Sequence, residues 1–421
     1  MKNVPLVAIG ALIISLAVMG FQCSPGLTSA KMAMKLGNWA EAERHLEQET
    51  AKNPANAEAW YMLGTVRREQ KNYKGMTEAY TRSLAAEKKF EKQIQADRLA
   101  VWVLVFKSGV DAYLKGKKAE EDSAAILMNM SVDYFNTALA INPDSSSTYT
   151  NLGLAFLEKE RQFQKATQGE SGARRDSLQR LALNSFEEAI RNFETSLQKE
   201  KDPGLAASVA NLHLEKGRKF QKEAQDESGS RKESLLGLSK NSFNKAIGTL
   251  EQARQWASEN QNILGLLLDA YIAAGRTDEA MNNFKLAVDK SPNNKMYRYN
   301  YGVLLIKADN HRAAVEQFEA AVVLDPKFED ALYNLGVGYL QWGAKLRKEA
   351  EAAARGSKEK QVSRSYEQQF RKGRDNLERL RDLKPDDPDV WEALGQAYGH
   401  LNMQKQAMEA FAKADSLRKA K

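Results

Sequence analysis

Side chains that could support catalysis or bind a metal are few and widely separated in this chain of 421 residues. The single cysteine, Cys23, permits neither an internal disulfide nor a cysteine-based zinc site. The histidines lie far apart and form no His-Glu-x-x-His motif; they are His45, His213, His311 and His400. No serine-hydrolase, P-loop or dinucleotide-binding motif occurs in a strand–turn–helix context. The sequence therefore predicts no enzymatic activity, no metal site and no cofactor.

Cys23 follows closely on residues 4–21, which carry no charge, and Lys2 precedes that segment. A short basic start followed by an apolar run predicts a secretory signal. The segment resembles the signal of bacterial lipoproteins, in which a cysteine at this place is acylated and becomes the new N-terminus. It departs from the lipoprotein motif at Gly20 and Gln22, where that motif has leucine and a small residue. The resemblance implies lipid attachment at Cys23; an uncleaved membrane anchor and secretion after a later cleavage are the alternatives.

The formal net charge is +7, and most of the basic excess lies in one part of the chain. Residues 343–381 contain 12 Lys and Arg against 6 Asp and Glu, a net of +6. A basic stretch such as 345–381 could meet an anionic membrane surface. Nucleic-acid binding is not expected, because the chain has no recognised nucleic-acid-reading motif. With 43% hydrophobic and 28% charged residues, the composition is that of a folded protein.

One series of residue types recurs along the chain at a constant spacing. It consists of a large side chain, Leu, Gly, Tyr, Ala, Phe, Ala and Pro, in that order. The matching residues are Trp60, Leu63, Gly64, Met76, Tyr80 and Ser83; Leu264, Leu267, Tyr271, Ala280, Phe284, Ala287 and Pro292; Tyr301, Gly302, Leu305, Ala314, Phe318, Ala321 and Pro326; and Trp391, Leu394, Gly395, Tyr398, Ala407, Phe411 and Ala414. The series resembles the tetratricopeptide repeat, a family whose units are pairs of antiparallel helices.

Each residue type in the series has a physical reason. The apolar stripe has helical spacing and predicts an amphipathic first helix. A small residue such as Gly302 allows the second helix to approach closely, and a ring then fills the space between neighbouring pairs. A proline ends the second helix, because it lacks an N–H donor and clashes with the preceding turn. These prolines are Pro54, Pro143, Pro292, Pro326 and Pro385.

The resemblance implies an all-α fold, a right-handed superhelical solenoid of antiparallel helix pairs. Residues 1–22 are predicted to be the export segment, 23–56 a partial first repeat with a linker, and 57–421 a solenoid of about eight units. The partial repeat is expected to have helices at 32–36 and 39–52. The full units are expected to begin near Ala57, Phe90, Ser146, Pro203, Gln261, Lys295, Glu329 and Pro388.

Three helix pairs are predicted to be longer than the family's unit by about 24 residues. They lie near residues 154–190, 211–247 and 339–373, and a shorter extension is expected around 115–122. Apolar positions are symmetric about Gly172, Gly229 and Gly356, which indicates that both helices continue and turn at the glycine. At 1.5 Å per residue, each tip projects roughly 18 Å. The second insertion repeats the first at an offset of 57 residues, as Phe163 and Phe220 show. These spurs are candidate contact arms.

The resemblance implies that partners bind along the first helices of successive units. The groove residues predicted on this basis mix aromatic, apolar and polar side chains, which suits an extended peptide or a helix; they are Tyr299, Val303, Tyr333, Val337, Leu340, Glu392 and Gln396. Some members of the family bind a terminal carboxylate with Asn and Lys. Asn151, Asn300 and Asn334 lie where one such Asn falls, but the companion Lys is absent, so hydrogen bonds between helices are expected there instead.

These patterns predict a non-enzymatic scaffold that binds other proteins or peptides, and no small-molecule substrate is indicated. The predicted signal places it in the bacterial cell envelope, as a membrane-anchored lipoprotein that faces the periplasm. One alternative is an accessory subunit of a polysaccharide or peptidoglycan enzyme. Another is a protein that binds a membrane surface through residues 345–381.

Overall fold

The regular secondary structure is helical in the residues that the computed structural model describes, 24–356 and 366–419. No strand occurs in these two ranges, so the all-α prediction is confirmed. The chain divides into two compact units, Met1–Lys199 and Glu200–Lys421. Each unit is built from consecutive pairs of helices joined by short turns. The predicted right-handed sense of the superhelix stays a prediction.

The first unit has eight α-helices among its described residues, and a short 3₁₀ helix at Lys88–Phe90. The α-helices are α1 Pro25–Lys35, α2 Trp39–Lys52, α3 Ala57–Glu69, α4 Tyr73–Ala86, α5 Glu91–Gly116, α6 Glu121–Ile141, α7 Ser146–Ala166 and α8 Gly172–Lys199. Buried apolar side chains join each pair to the next. One cluster, which includes Leu46 and Leu63, spans α1 to α4. Another, which includes Tyr80 and Ile94, connects α4 to α5 and α6.

The second unit has ten α-helices in the part of the chain that the structure describes. They are α9 Pro203–Glu223, α10 Gly229–Trp256, α11 Gln261–Ala273, α12 Thr277–Lys290, α13 Lys295–Lys307, α14 His311–Leu324, α15 Glu329–Gly356, α16 Tyr366–Leu383, α17 Pro388–His400 and α18 Gln404–Lys419. Its largest fully buried side chains are aromatic and are spread over several pairs: Tyr271, Phe284, Phe318, Tyr339 and Phe370. A core distributed in this way is typical of a repeat protein, in which each helix pair packs on the neighbouring pairs.

Helix beginnings agree closely with the sequence. α3, α7, α9, α11, α13, α15 and α17 begin at the residues expected, and α5 begins one residue later. Asparagine explains several of these beginnings, because its side chain accepts a hydrogen bond from an N–H of the first turn. Asn56 Oδ1 accepts from the N–H of Ala59 at 3.0 Å, and Asn260 accepts from Ile263 at 3.0 Å.

The first helix is longer than expected. α1 begins at Pro25, because Ser24 precedes it as a cap and its hydroxyl accepts from the N–H of Leu27 at 3.2 Å. Proline at the first helical position has its φ already set for a helix. Leu27 and Ala30 are buried, so α1 packs as a complete first helix. The prediction of a short helix at 32–36 is therefore wrong.

The close approach of paired helices at glycine is confirmed in both units. A Cβ on Gly64 would lie 2.3 Å from a ring carbon of Tyr80, and one on Gly302 would lie 2.6 Å from a ring carbon of Phe318. In both cases the ring is on the second helix, 16 residues after the glycine. The ring occupies the space that any other side chain in place of glycine would need.

Two elongated pairs have matching dimensions. α7 and α9 have 21 residues each and α8 and α10 have 28, whereas α3 and α4 have 13 and 14. In both long pairs the second helix begins at a glycine with a φ of 59°, Gly172 in α8 and Gly229 in α10. A positive φ of this size favours glycine. α5 and α6 have 26 and 21 residues, which is the shorter extension. In the third elongated pair, residues 357–365, between α15 and α16, lie outside the described residues.

The base of an elongated pair keeps the contact of an ordinary pair. A Cβ on Gly153 of α7 would lie 2.9 Å from the ring of Phe193 on α8. These residues are 40 apart in sequence, against 16 for Gly302 and Phe318. The insertion therefore adds 24 residues between glycine and ring, and the contact between them is preserved.

Candidate partner-binding groove

Tyr299 connects the first helices α13 and α15. Its hydroxyl accepts a hydrogen bond from Nδ2 of Asn334 at 2.9 Å, and its ring centroid lies 5.1 Å from that of Phe328. The side chain is half-buried. Burial, together with the negative charge of Asp330, raises the pKa of Tyr299 to about 12. The ring is thus fixed by its neighbours while part of it meets solvent.

Tyr333 on α15 lies near acidic side chains of α17. Burial is the main reason that its pKa is raised, and the charges of Asp389 and Glu392 add to the rise. Arg418 of α18 donates to both carboxylates, to Asp389 at 3.0 Å and also to Glu392. Gln396, one helical turn beyond Glu392, is exposed. At α17, the predicted groove therefore ends in two carboxylates that share one guanidinium.

The apolar groove residues differ in exposure. Val303 and Val337 are half-buried, so each offers part of its surface. Leu340 is only 5% exposed, and its Cδ2 lies 2.8 Å from where a Cβ on Gly373 would be. The prediction that Leu340 faces a partner is wrong, because this leucine fills the space that Gly373 leaves between α15 and α16.

The three asparagines at the carboxylate-binding position have different surroundings. Asn334 forms the expected bond between helices, to Tyr299. Asn151 instead donates to the carbonyl of Ser147 in its own helix, at 2.9 Å. Asn300 is 1% exposed, and its Nδ2 has no hydrogen-bond partner among the described residues. The expectation of a bond between helices is thus met by Asn334 alone of the three, within the part of the chain that the structure describes.

Many cations of the basic stretch 345–381 already have partners. Lys345 Nζ lies 2.5 Å from a carboxylate oxygen of Asp309, and Lys372 Nζ donates to the hydroxyl of Tyr339 at 3.1 Å. Further ion pairs join Arg347 to Glu351, Arg371 to Glu367, Arg374 to Asp375 and Arg381 to Asp382. Exposed pairs of this kind contribute little to stability, but they reduce the positive charge that an anionic membrane would meet.

The histidines have unrelated surroundings. His213 is buried, His311 Nε2 lies 2.8 Å from Asp309, and the His400 ring stacks on Phe370. Within the described residues, no group of three or more His, Cys, Asp or Glu side chains is close enough to hold a metal ion. These contacts are those of packed side chains or of a side chain beside a carboxylate.

The predicted export segment and Cys23 lie outside the described residues. Among the helices of residues 24–356 and 366–419, none is both long enough and apolar enough to cross a membrane. Lipid attachment at Cys23 therefore stays a prediction.

The first unit has a groove that the sequence did not predict. It has a volume of about 760 Å³ and lies between the start of α4 and the helices α5 and α6. Leu104, Val105 and Tyr134 are among its walls, with Lys71 in the turn before α4 and Lys74 in the first turn of α4. Leu104 is 56% exposed. α5 carries apolar residues around most of its circumference, so its sequence does not distinguish a groove wall from a core face.

Comparison with known families agrees with the repeated pairs. Three segments of the chain match models of the tetratricopeptide repeat: residues 27–89, 238–299 and 388–421. The first segment covers α1 to α4, and the last covers α17 and α18, so the matches fall in both compact units. A search of curated proteins found no match.

Solved structures of MamA proteins have a limited similarity to this chain. "Crystal structure of MamA" is 20% identical, covers 43% of this chain and 92% of its own, and has a TM-score of 0.33. "MamA 41-end from Desulfovibrio magneticus RS-1" is also 20% identical, and its match covers 49% of this chain and 97% of the MamA chain, with a TM-score of 0.32. These values are too low to indicate what the present chain binds. The matched segments, the consecutive helix pairs and the glycine–ring contacts agree, and the chain is a tetratricopeptide-repeat protein.

Proposed function

We propose that this protein is a non-enzymatic scaffold of the bacterial cell envelope. It binds an extended segment of a partner protein along the first helices α13, α15 and α17. The observation that carries the proposal is the pair Tyr299 and Tyr333: both are half-buried, and each lies beside side chains of the next first helix. Rings held in this way bind at a low cost in conformational entropy, and aromatic residues are enriched at interaction hot spots.

The chemistry of the groove suggests what the partner segment contains. Val303 and Val337, both half-buried, flank the tyrosines with apolar surface. At α17, the carboxylates of Asp389 and Glu392 share Arg418, so one negative charge is left in excess. A segment with apolar side chains followed by a basic or amide side chain would complement both parts.

A photo-cross-linking amino acid in place of Val337 tests the groove in intact cells. We expect it to capture one partner, whereas the same probe at Val323, a 79% exposed apolar site on the second helix α14, should not. Val303→Arg should abolish capture at residue 337, because the new charge would have to be desolvated in the interface. Equal capture at both sites, or capture that Val303→Arg leaves unchanged, would contradict the groove.

Each of the two spurs with described tips is proposed as a further contact site, one in each compact unit. Each tip carries an exposed ion pair, Glu170 with Arg174 at 3.0 Å and Glu227 with Arg231 at 2.7 Å. The pair gives the charged residues a local role at the start of the second helix, so their repetition alone does not indicate a partner. The same cross-linker at Gln168, an exposed tip residue, distinguishes a contact arm from a spur that only lengthens its pair.

A further inference from the structure

Three arginines of the second unit line one polar pocket. The pocket lies between α15, α16 and the turn that follows α17, and its volume of about 360 Å³ is at the small end of the range for ligand sites. Arg347, Arg371 and Arg374 contribute guanidinium groups, and Glu367 contributes the one carboxylate of the described lining. With His400 neutral, the lining has a net charge of +2.

A buried aromatic ring fixes one side of the pocket. Phe370 is fully buried, and its ring lies against α15, because a Cβ on Gly343 would be 2.7 Å from it. Arg347 Cζ lies 5.7 Å from the centroid of that ring. The ring of His400 stacks on the ring of Phe370, with the two centroids 4.4 Å apart and an interplanar angle of 7°. Arg347 and His400 are thus held by the same core side chain, which reduces the ordering that a ligand would require.

The other two arginines have donors to spare. Arg371 Nη2 lies 3.1 Å from Glu367, and Arg374 Nη2 lies 2.5 Å from Asp375, its neighbour in sequence. A guanidinium carries five N–H donors, so one carboxylate occupies only part of it. By contrast, the backbone N–H groups of Leu401 and Met403 in the turn already donate to carbonyls of α17. Side chains therefore supply the donors of this pocket.

We propose that this pocket binds an oxyanion, a carboxylate or phosphate group of a second molecule, between Arg347, Arg371 and Arg374. Guanidinium forks match the geometry of both anions and form two parallel hydrogen bonds with either. Lysines of the basic stretch lack this geometry, and Lys345 and Lys372 are already engaged elsewhere. The site is separate from the groove on the first helices, so it does not depend on the function proposed above.

Histidine resonances of the full-length protein provide the test. His400 forms one wall of the pocket, and burial together with the charge of Arg347 lowers its pKa. Inorganic phosphate and succinate are titrated separately at constant ionic strength, with sodium chloride as the reference salt. We expect a saturable shift of the His400 signal, assigned by its loss in His400→Gln, and a rise in its pKa. The His45 signal should not move. A stronger response to one anion identifies the preferred chemistry.

Matched substitutions complete the test. Arg374→Gln should weaken anion binding about tenfold or more, because charged hydrogen bonds are lost. Arg381→Gln is the control, since Arg381 is also on α16 and also pairs with the next residue, at 2.8 Å, with 30% side-chain exposure against 26% for Arg374. If Arg374→Gln loses helicity, Arg371→Gln takes its place. The proposal is overturned if neither anion gives a saturable shift, if chloride acts equally, or if Arg381→Gln weakens binding as much.

Discussion

Gly302 and Gly265 occupy first helices of the second unit but differ in what a methyl group would meet. At Gly302 it would lie 2.6 Å from a ring carbon of Phe318, and at Gly265 it would meet nothing within 4 Å. Gly302→Ala should therefore lower the free energy of unfolding by about 1–3 kcal/mol through overpacking. Gly265→Ala should raise it by up to about 1 kcal/mol, because alanine favours a helix. Chemical denaturation measures both, and a change of the same sign in the two variants would contradict the assigned register.

For individual residues, the sequence predicted the helix on which a side chain lies better than it predicted the contacts of that side chain. The repeat position was enough to place Tyr299 and Tyr333 on first helices. It could not show that Leu340 is buried, because the glycine opposite, Gly373, belongs to a second helix displaced by the insertion. The arginine pocket was missed for a related reason. Its members come from α15, α16 and the turn after α17, and only the fold brings them together.

In the second unit, a side-chain hydrogen bond that recurs at a fixed sequence spacing links one helix pair to the next. A tyrosine of a first helix donates to a glutamate of the preceding second helix, 20 residues earlier in the chain. The pairs are Tyr271 with Glu251 at 2.9 Å, Tyr398 with Glu378 at 2.7 Å, and Tyr339 with Glu319. The hydrogen bond fixes the position of one helix pair on the next, since the tyrosine and the glutamate belong to different helix pairs.

These bonds make the stability of the second unit sensitive to high pH. Burial and the neighbouring glutamates raise the pKa of Tyr271 and of Tyr398 to about 12. A raised pKa favours the folded state fully below the ordinary tyrosine value of about 10, and this contribution is lost as the pH rises towards 12. The melting temperature should therefore fall over that window. Tyr271→Phe should reduce the fall, and Tyr301→Phe, which removes no described bond of this kind, should not. Thermal melts at several pH values decide the matter.

For the whole molecule, the sequence predicted the order and beginnings of the helices but not their grouping. Periodicity and caps such as Asn56 and Asn260 are local, so one chain segment is enough to predict them. The division after Lys199 has no such signal, because the repeat series continues on both sides of it. The start of α1 at Pro25, by contrast, could be predicted from the sequence, because a serine cap is followed there by a proline. This pattern lies beside the predicted export segment.

The proposed envelope location depends on Cys23. In a bacterial host, radiolabelled palmitate should be incorporated into the full chain, and Cys23→Ser should abolish the label and release the protein from membranes. The acyl chains would provide the attachment, since each buried methylene contributes about 0.8 kcal/mol. If Cys23→Ser stays membrane-bound while residues 1–22 are retained, an uncleaved anchor explains the location instead.

The contact of Gly153 with Phe193 has a consequence for how this protein can change in length. One residue inserted midway along a helix rotates everything beyond it by about 100° and separates such a glycine from its ring. Residues gained at the tip, shared between both helices, leave the contact at the base intact, as the 40-residue separation shows. Tolerance to insertions should therefore be concentrated at the hairpin tips. An epitope or fluorophore placed in the five-residue turn after Ala166 would mark the protein with little effect on its folding.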